Sequence, residues 1–117
     1  MNMILSINSQ KFKVRIVSSY KDTKKGMMKK KFNDEFNGML FLMGDGTHSF
    51  WMKNCIIPLD IIYIKDNKIT KIHNNCPPCE TDDCGHYPGT GNLVLELQGG
   101  TCEDSDISVG DSIKFEW

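Results

Sequence analysis

Two neighbouring segments concentrate residue types that can bind a ligand or transfer a proton. Residues 48–54 read HSFWMKN, and residues 57–63 read IPLDIIY. Asp60 stands in a segment that is otherwise almost wholly apolar. Its carboxylate needs a partner there, because an isolated buried charge is costly and tends to be neutralised. Lys53 and Asn54 are the nearest candidate partners in the sequence.

A ligand-binding site is the first hypothesis for these residues. Trp51 would stack on a ring of the ligand, while Lys53, Asn54 and Asp60 would supply directional polar contacts. The ligand would be an unknown small molecule, a sugar or a peptide, and a loop over residues 74–92 would form the rim. The sequence therefore favours a non-enzymatic ligand-binding or interaction module.

Two other interpretations use the same segments. In a hydrolase-like enzyme, Asp60 would act as general base or acid beside Lys53, with His48 or His86 assisting. No nucleophile elbow is recognisable in the chain. In a purely structural interpretation, the aromatic residues pack in a core, and Asn54 and Asp60 bind backbone groups of loops. The exposure of Trp51 and Asp60 discriminates among these interpretations.

A cysteine-rich loop is a second candidate site. Its metal or redox residues would be Cys76, Cys79, Cys84 and His86. Three thiolates and one imidazole could bind zinc, but the Cys-x2-Cys-x4-Cys spacing matches no common zinc finger. A dithiol of Cys76 and Cys79 would require a following helix to lower a thiol pKa, whereas glycine and proline follow. The remaining alternative is a disulfide that staples the loop, or free thiols, which a reducing compartment favours. No cofactor other than zinc is implied.

The isolated Cys55 and Cys102 are expected to be structural, because a lone cysteine is more often a small buried hydrophobic residue than a nucleophile.

Length and charge limit the possible partners. The 117 residues are 39% hydrophobic and 25% charged, which predicts a single domain over residues 1–117. A net charge of -1 gives no global positive field for nucleic acid or an anionic membrane. The apolar runs are too short to cross a bilayer, and residues 1–10 lack a secretory signal pattern. We therefore expect a cytoplasmic protein, or one in the host cytoplasm if a virus encodes it.

Hydrophobic alternation predicts at least six short strands. Residues 11–18 place Phe12, Val14 and Ile16 on one face, as in a half-buried strand. The other predicted strands cover residues 3–7, 38–43, 49–54, 58–64, 68–73, 93–97 and 112–116, with a turn at residues 44–46. Asp66 and Asn67 both tolerate the positive φ of a two-residue hairpin turn.

One short helix is predicted over residues 23–32, with Asp22 as its cap. Many short strands with one short helix predict a mainly β fold, an antiparallel β-sandwich or a partly open barrel.

Several short motifs occur in a fixed order along the chain. They are Gly26-Met27-Met28, Gly38-Met39-Leu40-Phe41, residues 50–54, residues 58–61, Pro78-Cys79 with Tyr87, Leu95-Glu96 with Gly99-Gly100, and Gly110-Asp111. This order resembles the domain-of-unknown-function 192 family, also called uncharacterised protein family 0127. The resemblance covers roughly residues 11–116.

The resemblance implies a jelly-roll-like β-sandwich with a short helix, found in bacteria, archaea and their viruses, and it implies no established reaction. Two positions depart from the family pattern. Lys25 stands where the family usually has arginine, and Met27 replaces leucine. Lysine keeps the charge but lacks the planar fork that binds a carboxylate through two N–H groups. Many relatives also carry an export signal that this sequence does not show.

Overall fold

A computed structural model describes residues 2–116, which form seven strands and two short helices. The elements are β1 (Asn2–Ile7), β2 (Gln10–Val17), α1 (Tyr20–Lys25), β3 (Gly38–Trp51), β4 (Leu59–Lys65), β5 (Lys68–Cys76), β6 (His86–Gln98), α2 (Thr101–Asp104) and β7 (Ile113–Glu116). Neither helix within residues 2–116 is long and apolar enough to cross a membrane.

The strands form one mixed sheet in the order β5-β4-β6-β3-β2-β1-β7. β2 and β3 run parallel, and the other neighbouring strands are antiparallel. The two edges approach each other at one end, where Lys68 forms a bridge with Ser112 and Ile113 N donates to Asn67 O at 2.8 Å. The sheet is not closed. The prediction of a mainly β, partly open fold is confirmed, with one parallel strand pair and a second helix in addition.

The central strands are covered on both faces. One buried cluster comprises Leu5, Ile7, Phe12, Val14, Leu40, Ile62, Ile64, Ile69, Leu95, Leu97, Cys102, Ile107 and Ile113. The other comprises Val17, Met27, Phe36, Met39, Phe41, Met52, Cys55, Leu59, Ile61, Tyr63, Cys76 and Val94. Every residue from Leu59 to Ile64 is consequently buried. A polar side chain on either face of β4 at residues 59–64, or of β6 at residues 94–97, must therefore be accommodated within a core.

The β4–β5 hairpin is the local prediction that the backbone supports most directly. β4 and β5 pair antiparallel, with Lys65 opposite Lys68. Asp66 and Asn67 have φ values of 50° and 64°, as the two-residue turn requires. The strand predicted over residues 11–18 is also present, as β2.

The predicted helix over residues 23–32 was placed too late and made too long. α1 begins after Ser19, whose hydroxyl accepts a hydrogen bond from Asp22 N at 3.1 Å, so Ser19 is the N-cap. The helix ends at Gly26, where φ is 47°. Glycine adopts a positive φ readily because it has no Cβ.

The turn predicted at residues 44–46 is a register irregularity inside the continuous strand β3. The predicted loop over residues 74–92 is shorter, because β5 continues to Cys76 and β6 begins at His86. Gly89 lies within β6, opposite His48 of β3, and a Cβ there would lie 2.2 Å from a ring carbon of Tyr63, so the close approach of the ring requires glycine. Glycine inside a strand commonly marks such a close approach.

Candidate ligand-binding cleft

An open cleft of about 350 Å³ lies between β3 and the segment formed by α1 and the turn after it. We call it the β3–α1 cleft. Its floor consists of the buried residues Met27, Phe41, Cys55 and Glu96. Its walls and mouth consist of Tyr20, Thr23, Lys24, Lys25, Gly26, Met28, Met43, Ser49, Phe50, Trp51, Lys53 and His86. An apolar and aromatic lining with few polar groups is typical of small-molecule sites.

The turn after α1 is tied to the segment that follows β3. Met28 forms an isolated bridge with Cys55, and Lys29 N donates to the carbonyl of Asn54 at 2.8 Å. These contacts join two parts of the chain that are distant in sequence. They hold α1 against β3 and so determine the width of the cleft at this end.

Packed aromatic rings form one side of the cleft. The rings of Phe41 and Phe50 pack edge to face with centroids 5.0 Å apart, and Phe50 packs in the same way on Tyr63 at 6.2 Å. The hydroxyl of Tyr63 donates to the carbonyl of Tyr87. Such edge-to-face packing adds stability beyond that of area burial.

Glu96 is the only acidic residue among those that line the β3–α1 cleft in the described part of the chain. It is 3% exposed, and its Oε1 has no hydrogen-bond partner among residues 2–116. Burial raises the pKa of the Glu96 carboxyl to about 8. The carboxyl is therefore mostly protonated at neutral pH, because its carboxylate form would lie unpaired in a low dielectric.

The groups near Glu96 supply no compensating charge. Burial is the main cause that raises the pKa of the Cys55 thiol and of the Tyr63 hydroxyl, each to about 12, and the charge of Glu96 adds to both shifts. Burial also raises the pKa of the Cys76 thiol to about 11. These three groups are neutral at physiological pH and offer a carboxylate no positive charge.

Asp60 lies on the opposite face of the sheet from Glu96. Asp60 pairs with Leu97, whereas Glu96 pairs with Ile61, so the two carboxyl side chains project in opposite directions from neighbouring strands. Asp60 is 0% exposed. Its Oδ1 accepts hydrogen bonds from Asn75 N at 2.7 Å and Gly100 N at 3.1 Å. Its Oδ2 accepts one from Cys102 N at 2.8 Å.

The structure places Asp60 away from the other predicted ligand-binding residues. The side chain joins β5 and the start of α2 to β4 and does not line the β3–α1 cleft. The hydrolase-like hypothesis required Asp60 to reach solvent in a pocket, and it does not. Backbone N–H groups satisfy the carboxylate in place of the expected partner Lys53.

The structure brings Trp51 and Lys53 to the cleft but not Asn54. Trp51 is partly exposed and stacks on His86, with ring centroids 6.0 Å apart and planes at 17°. Lys53 Nζ donates to the carbonyl of Thr81 and pairs with Asp82 Oδ1 at 3.0 Å.

Asn54 contributes through its backbone. Its φ is 60°, its N–H donates to Cys79 O at 2.8 Å, and it does not line the cleft. Of the loop predicted to form the rim, residues 74–92, only His86 lines the cleft in the described structure. His48 lies outside it, with Nε2 hydrogen-bonded to the carbonyl of Gly44 at 2.6 Å.

The cysteine loop is closed by a disulfide between Cys79 and Cys84, whose Cα atoms are 5.9 Å apart. Cys76 is free and buried, so it does not form the dithiol considered with Cys79. Within residues 2–116, no group of three or more His, Cys, Asp or Glu side chains is placed to hold a metal ion. The loop-stapling disulfide is the interpretation that matches this geometry. The expected burial of Cys55 and Cys102 is confirmed.

Sequence reasoning missed Glu96 as a site residue. It occurs in the segment LVLEL, residues 93–97, where it is the single charge in an apolar strand. The same signal drew attention to Asp60 and could have drawn attention to Glu96. The contribution of α1 had no comparable signal, because α1 reaches the cleft only through the fold.

Comparisons with known proteins agree with the fold and leave the function open. The family model DUF192, described as an uncharacterized ACR, matches residues 3–115. A crystal structure of a protein of unknown function from Novosphingobium aromaticivorans is 30% identical, with a TM-score of 0.85 over 99% of this chain and 85% of that chain. A Sinorhizobium meliloti protein, described as a candidate transcription regulator, is 27% identical, with a TM-score of 0.84 over 98% and 94%. Among the curated proteins, none matches.

Replacing Asp60 tests its role as a tie between strands. We expect Asp60→Asn to destabilise the fold by about 2 to 4 kcal/mol, because an amide N–H₂ group would face a backbone donor at one of the two oxygen positions. Urea unfolding measures this change. The control is Asp82→Asn, which removes an exposed, solvent-screened ion pair and should destabilise the fold much less than Asp60→Asn does. Equal small losses in both variants would contradict the assigned role.

Replacing Glu96 tests the buried neutral carboxyl. Burial raises the pKa of Glu96 from 4.5 to about 8, so the folded state retains a proton that the unfolded chain loses. The associated stability is fully present below about pH 4.5 and is lost as the pH rises through about 8. We expect Glu96→Gln to abolish this loss, which is on the order of 4 kcal/mol between about pH 5 and about pH 8.5.

Urea unfolding of both proteins at these two pH values measures the effect. Asp45, Asp82 and Asp111, whose pKa values are lowered by hydrogen bonds, act equally in both proteins and cancel in the comparison. An unchanged pH dependence in Glu96→Gln would show that Glu96 ionises freely in the folded state.

Proposed function

The chain belongs to the DUF192 family, and we propose that this member is a non-enzymatic ligand-binding module whose site is the β3–α1 cleft. The observation that carries the proposal is the buried carboxyl of Glu96, which lines an open, mainly apolar cleft and whose Oε1 has no hydrogen-bond partner among residues 2–116. Buried polar atoms are rarely left unpaired. A ligand that enters the cleft would supply the missing hydrogen bond.

The size and lining of the cleft support a small ligand. A volume of about 350 Å³ lies near the lower end of the range for small-molecule sites. Phe50 and Trp51 offer ring surfaces, and Glu96 offers one directional polar contact at the floor. A ring-bearing small molecule, a sugar residue or one side chain of a peptide would fit this combination.

The environment of Trp51 supports recognition at the mouth. The ring is partly exposed, and its stacking on His86 fixes its orientation. Lys53 is held by Thr81 and Asp82 in the loop that the Cys79–Cys84 disulfide closes. Side chains held in this way lose less conformational freedom when a ligand binds.

Binding is favoured over catalysis by the placement of the acidic groups. Asp60 is buried on the other face of the sheet, where its carboxylate accepts hydrogen bonds from three backbone N–H groups. Among residues 2–116, Glu96 has no second acidic group in the cleft lining with which to share a proton. Neither carboxyl has the paired arrangement that general acid–base hydrolysis uses.

The proposal is tested by screening small aromatic fragments that carry a hydroxyl, amide, carboxylate or amine, with backbone amide NMR shifts as the readout. We expect shifts concentrated in residues 26–28 and 49–53. Trp51→Ala should weaken the binding of fragments that stack on the indole by about fivefold, because such ring contacts contribute about 1 kcal/mol.

The control is Leu42→Ala, which removes an exposed apolar side chain of the same strand that does not line the cleft. It should leave binding unchanged. Fragment shifts scattered outside the cleft, or equal losses in the two variants, would refute the cleft as the binding site.

A further inference from the structure

We infer that the ligand of the β3–α1 cleft presents a protonated amine, and that this ammonium group pairs with the carboxylate of Glu96. The inference rests on the proposed function, because it names the chemical class that the same cleft would receive. A neutral hydroxyl or amide that accepts a hydrogen bond from the protonated Glu96 is the alternative.

The first support is the burial of Glu96 without a partner. Its side chain is 3% exposed and Oε1 makes no hydrogen bond within residues 2–116. A carboxyl in an apolar site interacts much more strongly with a cation than with a neutral group, since the local dielectric is low. A ligand ammonium would satisfy the carboxylate directly through charge-assisted hydrogen bonds.

The second support is the lining of the cleft. Phe41, Phe50 and Trp51 contribute aromatic rings to the same cavity as Glu96. The faces of such rings attract cations, and the attraction increases when the cation is removed from water. An acidic floor among aromatic rings therefore favours an ammonium over a neutral polar group.

Other titratable groups also face the cleft. Lys24 and Lys25 from α1, Lys53 and His86 line it, while Cys55, Tyr63 and Cys76 adjoin Glu96. The lysines oppose positive charge at the mouth, so the outer part of the ligand should be neutral or anionic. They remain in a Glu96→Gln variant, and a comparison with that variant isolates the contribution of Glu96.

Binding of an amine would be coupled to loss of the Glu96 proton. Because burial raises the pKa of Glu96 to about 8, the carboxyl must ionise before it can pair with an ammonium, and the proton passes to the buffer. The affinity for an amine should then increase about tenfold per pH unit up to about pH 8 and level off above it. Close to one proton should be released per amine bound at neutral pH.

The experiment compares benzylamine with benzyl alcohol, a neutral probe of nearly the same shape, by calorimetry on the intact protein. We expect benzylamine to bind more tightly at about pH 8, with an affinity that falls about fiftyfold by about pH 6. Benzyl alcohol should show no such pH dependence. Titrations in two buffers of different ionisation enthalpy report the released proton directly in the wild-type protein.

Glu96→Gln keeps the shape of the floor and removes its charge. In this variant we expect benzylamine to lose its advantage over benzyl alcohol and to bind without proton release. Equal affinities of the two probes for the wild-type protein, or benzylamine binding that is unchanged in Glu96→Gln, would overturn the inference. Binding of benzyl alcohol in the cleft without any preference for the amine would overturn it while leaving the proposed function intact. Failure of all fragments to bind would refute both this inference and the proposed function.

Discussion

Burial of the central strands on both faces is the constraint on which the rest of the structure depends. β4 and β6 lie inside the sheet with a hydrophobic cluster on each side, so a carboxyl at residues 59–64 of β4 or at residues 94–97 of β6 is removed from water. Each strand nevertheless carries one buried carboxyl, Asp60 on β4 and Glu96 on β6. A buried carboxyl is either paired with donors or held neutral. Asp60 is paired with donors, and Glu96 is held neutral. Asp60 therefore stabilises the fold, whereas Glu96 belongs to the candidate site.

The arrangement of β4, β5 and α2 depends on the hydrogen bonds that Asp60 accepts from three backbone N–H groups. They come from β5 and from the start of α2, so one side chain on a central strand holds an edge strand and a helix in place. Asn54 acts similarly through its backbone, which links the segment after β3 both to the turn after α1 and to the disulfide loop. The residues of the motif over positions 48–60 thus have two different roles. Trp51 and Lys53 reach the cleft, while Asn54 and Asp60 maintain the structure around it.

Sequence patterns predicted the features that depend on neighbours in the chain. The strand alternation of β2 and the turn at Asp66 and Asn67 are properties of a few adjacent residues, and both are present in the fold. The cleft could not be predicted in this way, because α1 reaches β3 through contacts between Met28 or Lys29 and residues near Asn54. The different environments of Asp60 and Glu96 could not be predicted from the sequence either. Both appear as single charges in apolar strands, and only the fold brings the donors of Gly100 and Cys102 to one of them.

Glu96 links the fold to the proposed function, since the fold buries its carboxyl at the floor of a mainly apolar cleft and leaves Oε1 without a hydrogen-bond partner among residues 2–116. The most direct measurement is a carbon-13 NMR titration of the Glu96 side-chain carboxyl, assigned by comparison with Glu96→Gln. The account predicts a pKa for Glu96 of about 8 in the ligand-free protein, raised by burial. A midpoint near the ordinary glutamate value of 4.5 would show that water or a protein group already satisfies the carboxylate, and it would contradict the account.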